Sequence, residues 1–401
     1  MEVLRTFQLN DKQSGISTTD MPRMMKVRQS FARPVEKDIA AAVQREIKPF
    51  LAHVKPGQSI AITGSSRGIV NLAEVVAESV KALKAAGANP FIVPGMGSHG
   101  GATAEGQQEV LAVQGITQDT MGAPIRATMD VIQVGTTATG FPVFQDKHAA
   151  QADGVLAINR VKPHTGFTEV VESGICKMLV IGLGKQAGAQ KIHQQALRVD
   201  LGQMVLDASK LILESPEMNF IGSLALVEND FKETAVVKGM PMDNHAELVK
   251  QESELLKMAY ELFPRIPFDE IDTLIVDEMG KNISGSGMDT NVVGKKPGMT
   301  TPTIGTIFMR GLTEETHGNA VGIGMADVIL RRLMDEIDFH STYMNAFTAK
   351  RLLGAKMPLL CETELQAMQV CLTIRPEEDP STSRVVWIPN TSKLAEFWCS
   401  E

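Results

Sequence analysis

Cysteine, aromatic side chains, surplus positive charge and long apolar runs are all scarce in this chain. The four cysteines, Cys176, Cys361, Cys371 and Cys399, have no CxxC spacing and are sparse for 401 residues. That argues against a disulfide scaffold or a structural zinc and leaves core-filling or free thiols. Aromatics make up 5%, too few for a platform that stacks single-stranded nucleic acid. Lys and Arg number 39 against 47 Asp and Glu, a net charge of -8. No dense Lys/Arg block offers a footprint for a phosphate backbone or an anionic membrane, so no nucleic-acid or membrane partner is expected. No stretch of about 18 apolar residues could span a bilayer, and the segment from Met1 to Asn10 lacks a signal peptide's apolar run. The expected location is cytoplasmic.

What remains is an ordinary folding composition, 43% hydrophobic and 21% charged, which excludes extensive disorder. The length favours two domains. Residues before Glu36 read as irregular or edge-strand material. The four-residue spacing of Ile39, Val43 and Ile47 predicts a helix that Pro49 helps to end. Ser59 to Ile62 reads as a buried strand, Thr63 to Ile69 as a small-residue turn, and Leu72, Val75, Val76, Val80 and Leu83 as one helix face. Phe91 to Val93 follows as a strand, which completes a βαβ unit and calls for a parallel sheet. The rhythm continues with strands at 154–158 and 178–181, a helix from Met204 to Leu213, and a hairpin-like pair at 223–227 and 234–237. Two prolines within Phe263 to Phe268 mark a boundary before a new strand at Thr273 to Val276 and a helix near Met325 to Ile337. The division is therefore 1–266 and 267–401, both α/β with largely parallel sheets.

The turn Thr63-Gly-Ser-Ser-Arg-Gly-Ile69 resembles the first glycine loop of short-chain dehydrogenases, whose glycines admit a pyrophosphate to a helix N-terminus. The last glycine of that pattern is Val70, and neither Tyr260 nor Tyr343 has a lysine four residues on, which opposes nicotinamide chemistry. The loop also spells GxSxG, making Ser66 a formal nucleophile, although the elbow normally follows several strands. A turn with no ligand is the third reading, and Arg67 at a helix start, opposing the dipole, wants an anionic partner.

Three of the eight histidines follow predicted strands. His99 lies in Gly95-Met-Gly-Ser-His-Gly-Gly, before a helix that Thr103 could cap; His164 lies in Lys162-Pro-His-Thr-Gly-Phe167; His193 lies at what reads as a helix start. The carboxyl end of a parallel sheet is where α/β proteins place ligands. Histidine is both the natural acid–base group near neutral pH and a common metal ligand. Neither HxH nor HExxH spacing occurs, as a zinc hydrolase would need. A pair on opposite sides of a substrate suits racemisation or epimerisation.

Met96 to Glu105, Lys162 to Phe167, and Ser173-Gly-Ile-Cys-Lys-Met-Leu-Val-Ile-Gly-Leu183 running on to His193 together resemble the nickel-pincer lactate racemase family. That resemblance implies a racemase or epimerase of a 2-hydroxy acid, with His99 and His164 as the acid–base pair. It further implies that Lys177 carries the nickel-pincer nucleotide and that His193, 16 residues later (193 − 177), ligates the nickel. Arg67 would face substrate and cofactor, and Lys295 would contact the substrate carboxylate. The 1–266 domain would carry the cofactor and the 267–401 domain would close over the substrate, with the active site in the cleft between them. Cofactor-assembly enzymes would be partners, and an oligomer is compatible with the sequence. Gly64 stands where the family's loop has an acidic residue, which bears on the substrate. The alternatives kept are a cofactor-binding homologue without racemase activity and a nicotinamide-dependent oxidoreductase.

Overall fold

The computed structural model describes residues 16–66, 68–196, 199–348, 351–374 and 379–401, without the His193 side chain. The chain divides into two compact units, Ala32–Phe263 and a second that adds residues 16–31 to Pro264–Glu401. The break falls within the proline-interrupted stretch expected to hold a boundary. Residues 16–31 join the second unit because the strand Met24–Arg28 pairs antiparallel with Glu396–Ser400. It is an edge strand.

In the first unit the sheet order is Asn89–Pro94, Ser59–Gly64, Gly154–Arg160, Phe220–Glu228, Thr234–Met240. The first four strands run parallel and the last forms the antiparallel hairpin. Both faces of this sheet are covered, so its strands read as continuous apolar runs with no alternation. Ile60, Ile62, Leu156, Ile158, Leu224 and Leu226 pack on one side with the helices Ile39–Leu51 and Leu72–Ala85. Ala61, Val155, Ala157, Ala225 and Val227 pack on the other with Leu201–Glu214 and His245–Glu261. Each fully buried Ile or Leu contributes about 1.5–3 kcal/mol. Asp38 caps the first helix by accepting from the Ala41 amide at 2.8 Å. Pro49 sits inside its last turn and the helix continues to Leu51, since a proline there costs one hydrogen bond but keeps a helical φ. Val131–Thr136 and Pro142–Asp146 add a two-stranded antiparallel ribbon.

In the second unit a seven-stranded sheet runs Met24–Arg28, Glu396–Ser400, Val385–Ile388, Glu270–Val276, Thr303–Met309, Val328–Leu330, Leu359–Cys361. Its last five strands are parallel. The fold is mixed α/β with largely parallel sheets.

Two segments differ from expectation. The run at 178–181 is a π-helical turn, Met178–Gly182, in place of a strand; a short buried apolar run fits either state, and periodicity cannot separate them. The stretch from Met325 to Ile337 holds a strand, Val328–Leu330, followed by a short helix, Arg331–Glu336. Among the described residues, no helix is long and apolar enough to cross a membrane.

Candidate active site

Three neighbouring parallel strands of the first unit end at one sheet edge, and a polar loop follows each. Ser59–Gly64 leads to Ser65 and Ser66, Asn89–Pro94 to the loop carrying His99, and Gly154–Arg160 to the loop carrying His164. Gly64 is buried in this edge, and a Cβ there would lie 2.7 Å from Leu111 Cδ2. An acidic side chain at this position would need Leu111 to move.

The His99 loop is built from backbone contacts. The Gly95 amide donates to Gly64 O at 2.8 Å and the Gly97 amide to Gly182 O at 3.0 Å, which ties the loop to the turn that follows Lys177. Buried Gln107 donates to Gly97 O at 2.8 Å. Thr103 accepts from the Gly106 amide and caps the helix Ala104–Val113, as expected. His99 is exposed, and its Nδ1 lies 2.5 Å from Ser66 Oγ.

His164 sits in a loop closed at its base, where Lys162 and Ser173 exchange backbone hydrogen bonds at 2.9 and 3.3 Å. Its amide donates to Glu172 Oε2 at 2.6 Å, its Nδ1 accepts from the Gly166 amide at 2.9 Å, and its ring lies 4.4 Å from that of Phe167. Glu172 is 1% exposed, and Tyr260 donates to its other oxygen at 2.9 Å. Tyr260, considered in the dehydrogenase reading, therefore braces the carboxylate beneath His164.

Lys177 ends the helical turn Ile175–Lys177 and is half-buried. Inside the core, Glu252 Oε2 accepts from the Cys176 amide at 2.9 Å. This carboxylate satisfies donors that a helix start leaves unpaired. A Cβ on Gly174 would lie 2.0 Å from Glu252 Oε1, so the approach needs glycine. Burial pushes the Glu252 carboxyl up to about 7, and burial, reinforced by Glu252, pushes the Cys176 thiol up as well. Asn159, near the end of its strand, joins two parts of the site. Its Oδ1 accepts from Ser65 Oγ at 2.9 Å and its Nδ2 donates to Gly174 O at 2.7 Å.

A second buried group backs the site. Lys185 Nζ, fully enclosed, donates to Pro94 O at 2.5 Å and Gln107 Oε1 at 2.9 Å, and lies 3.0 Å from Asp146 Oδ2. Burial lowers its basicity and Asp146 opposes that shift. Lys185 thus links the strand before His99, the Gln107 side chain and the helix Lys185–Gln195, on whose last turns His193 lies. His193 was expected at a helix start; the helix begins eight residues earlier (193 − 185).

The sheet edge thus brings together His99, His164 and the Lys177 turn, with His193 placed by its backbone. Arg67 lies outside the described residues. Lys295 belongs to the second unit, where it is exposed and its amide donates to Thr290 O at 3.0 Å; its neighbour Lys296 is buried. Among the described residues no group of three or more His, Cys, Asp or Glu could hold a metal. A metal carried by an organic ligand would bring most of its own donors. A half-buried amine beside a single histidine-bearing helix fits such a tethered group. Sequence reasoning missed Asn159, Glu172, Lys185 and Glu252. For Glu252 there was a signal: it occupies the core stripe of its helix with Leu248, Leu255, Leu256 and Ala259.

This is an α/β chain with a ligand-type edge at the carboxyl ends of parallel strands. Residues 9–202 match the family model of the lactate racemase N-terminal domain. In fold the chain is similar to the lactate racemase apoprotein from Thermoanaerobacterium thermosaccharolyticum, at 13% identity and a TM-score of 0.56, over 97% of this chain and 96% of that one. It is also similar to a structural-genomics protein from Thermotoga maritima, at 14% identity and a TM-score of 0.51, over 91% and 99%. No curated protein matches the chain. By domain and by fold it is lactate racemase-like.

Proposed function

We propose that the protein is an isomerase that racemises or epimerises a 2-hydroxy acid with a nickel-pincer nucleotide tethered to Lys177. The observation that carries this reading is the convergence of the His99 loop, the His164 loop and the Lys177 turn on one sheet edge, cross-tied by Asn159. Lys177 would hold the nucleotide and His193 would ligate its nickel; imidazole with soft sulfur donors suits that metal. When bound, the group would supply an acceptor for the C2 hydride of the hydroxy acid. His99 and His164 serve the hydroxyl proton, within reach of a substrate oxygen. Arg67 and Lys295 hold the carboxylate, the guanidinium in bidentate fashion. The unit Ala32–Phe263 takes the cofactor and acid–base groups, and the unit that includes Pro264–Glu401 takes the substrate. Cofactor-assembly enzymes are partners, and the site of action is the cytoplasm.

The test is intact-protein mass with metal analysis on material co-expressed with cofactor-assembly enzymes. A nickel-containing adduct that is lost in Lys177→Ala is expected. An unmodified, nickel-free chain despite a working assembly pathway would overturn the reading.

A further inference from the structure

Resting on that reading, we propose that Gln107 is a positioning residue for His99, and that Lys185 dictates which way its amide faces. Gln107 is fully buried on the helix Ala104–Val113, eight residues after His99 (107 − 99). An amide side chain fits a core either way round, with its oxygen or its nitrogen toward a given neighbour. Here the choice is forced. The Lys185 ammonium has three hydrogens to donate and no lone pair. Its other neighbours, Pro94 O at 2.5 Å and Asp146 Oδ2 at 3.0 Å, are acceptors too. Gln107 therefore turns its oxygen to Lys185, at 2.9 Å, and its Nε2 hydrogens to the loop. Nε2 donates to Gly97 O at 2.8 Å and to His99 O at 3.3 Å.

Those two carbonyls belong to a backbone with little stiffness of its own. Gly97 and Gly100, on either side of His99, take left-handed φ values of 61° and 64°, and glycine gives up more conformational freedom on folding than any other residue. The His99 carbonyl is bonded to the Cα from which the imidazole projects, so holding the one seats the other. The Gly97 amide meanwhile donates to Gly182 O, which ties the same residue to the turn after Lys177. Gln107 holds the loop from inside the core and touches no reacting atom. Both histidines keep their acid–base part, and Gln107 fixes where one of them stands.

Gln107→Met keeps the length of the side chain and loses the donor, while Lys185 retains Pro94 O and Asp146 as partners. In the cofactor-free protein, amide hydrogen exchange should rise at residues 97–103, and the five-stranded sheet and the helix Lys185–Gln195 should keep their protection. In loaded enzyme kcat should fall roughly a hundredfold, as displacing a catalytic group by about 1 Å does, with KM and nickel content little changed. Lys185→Met combined with Asp146→Asn leaves the amide free to turn and should lower kcat roughly tenfold. Adding Gln107→Met to that pair should give the rate of Gln107→Met alone, because Lys185 acts through Gln107; independent structural losses would multiply. Unchanged exchange at 97–103 in Gln107→Met, a raised KM in place of a lowered kcat, or multiplied losses in the triple variant would overturn the proposal. If exchange responds as stated but the parent inverts no 2-hydroxy acid, the racemase reading fails and the seating of His99 by Gln107 stands.

Discussion

Glu252 accepts the amide hydrogen of Cys176 from inside the core, one residue before Lys177. The turn that presents the lysine is thus anchored by a carboxyl group whose ordinary pKa, 4.5, has been raised to about 7 by burial. Between these two values the folded chain keeps a proton that the unfolded chain has lost. Stability therefore falls as pH rises across that window, by about 3 kcal/mol in all. Glu252→Gln removes this dependence. Urea unfolding near pH 5 and near pH 8 should show the variant gaining on the parent by an amount of that order, and an equal difference at both would contradict the assignment.

Lys185 and Asp146 are both fully enclosed. Lys185→Met leaves the Asp146 carboxylate buried without its cation, and a loss of about 3–5 kcal/mol is expected in thermal or urea unfolding. Adding Asp146→Asn should recover part of that loss, since Asn can still accept from the Ala149 amide that Asp146 now caps.

Asn159→Ala cuts the ties to Ser65 and Gly174 together. Each lost hydrogen bond costs about 1 kcal/mol. Hydrogen exchange should rise at residues 64–66 and 174–177 while the rest of the five-stranded sheet keeps its protection.

His99→Ala and His164→Ala should each slow racemisation at least about a hundredfold and leave nickel content unchanged. Chiral analysis beside metal analysis checks this. A variant that keeps its rate removes that histidine from the reaction, and one that loses nickel assigns it to the metal.

The strand ends were legible because buried parallel strands are short apolar runs punctuated by glycine, and that pattern placed His99 and His164 at the sheet edge. The surroundings of each residue were less visible. Glu172 and Tyr260 meet across a sequence separation of 88 residues, and no local spacing encodes that pairing. The run at 178–181 read as a strand because its four residues are apolar, and a short buried apolar run fits a helical turn equally well. The strand Met24–Arg28 was marked as edge material, but its partner could not be named from sequence. Lys295 and Lys296 are adjacent and chemically alike, and folding alone distinguishes the exposed one from the buried one.

The pairing of Met24–Arg28 with Glu396–Ser400 spans 368 residues between Arg28 and Glu396. During synthesis Ala32–Phe263 emerges as one uninterrupted stretch, with every strand of its sheet available, long before Glu396 leaves the ribosome. The second sheet must wait, its first strand made early and left without a ladder partner until the last has been added. A nascent chain stalled after residue 263 should therefore already resist protease across the His99 and His164 loops, while Met24–Arg28 remains cleavable.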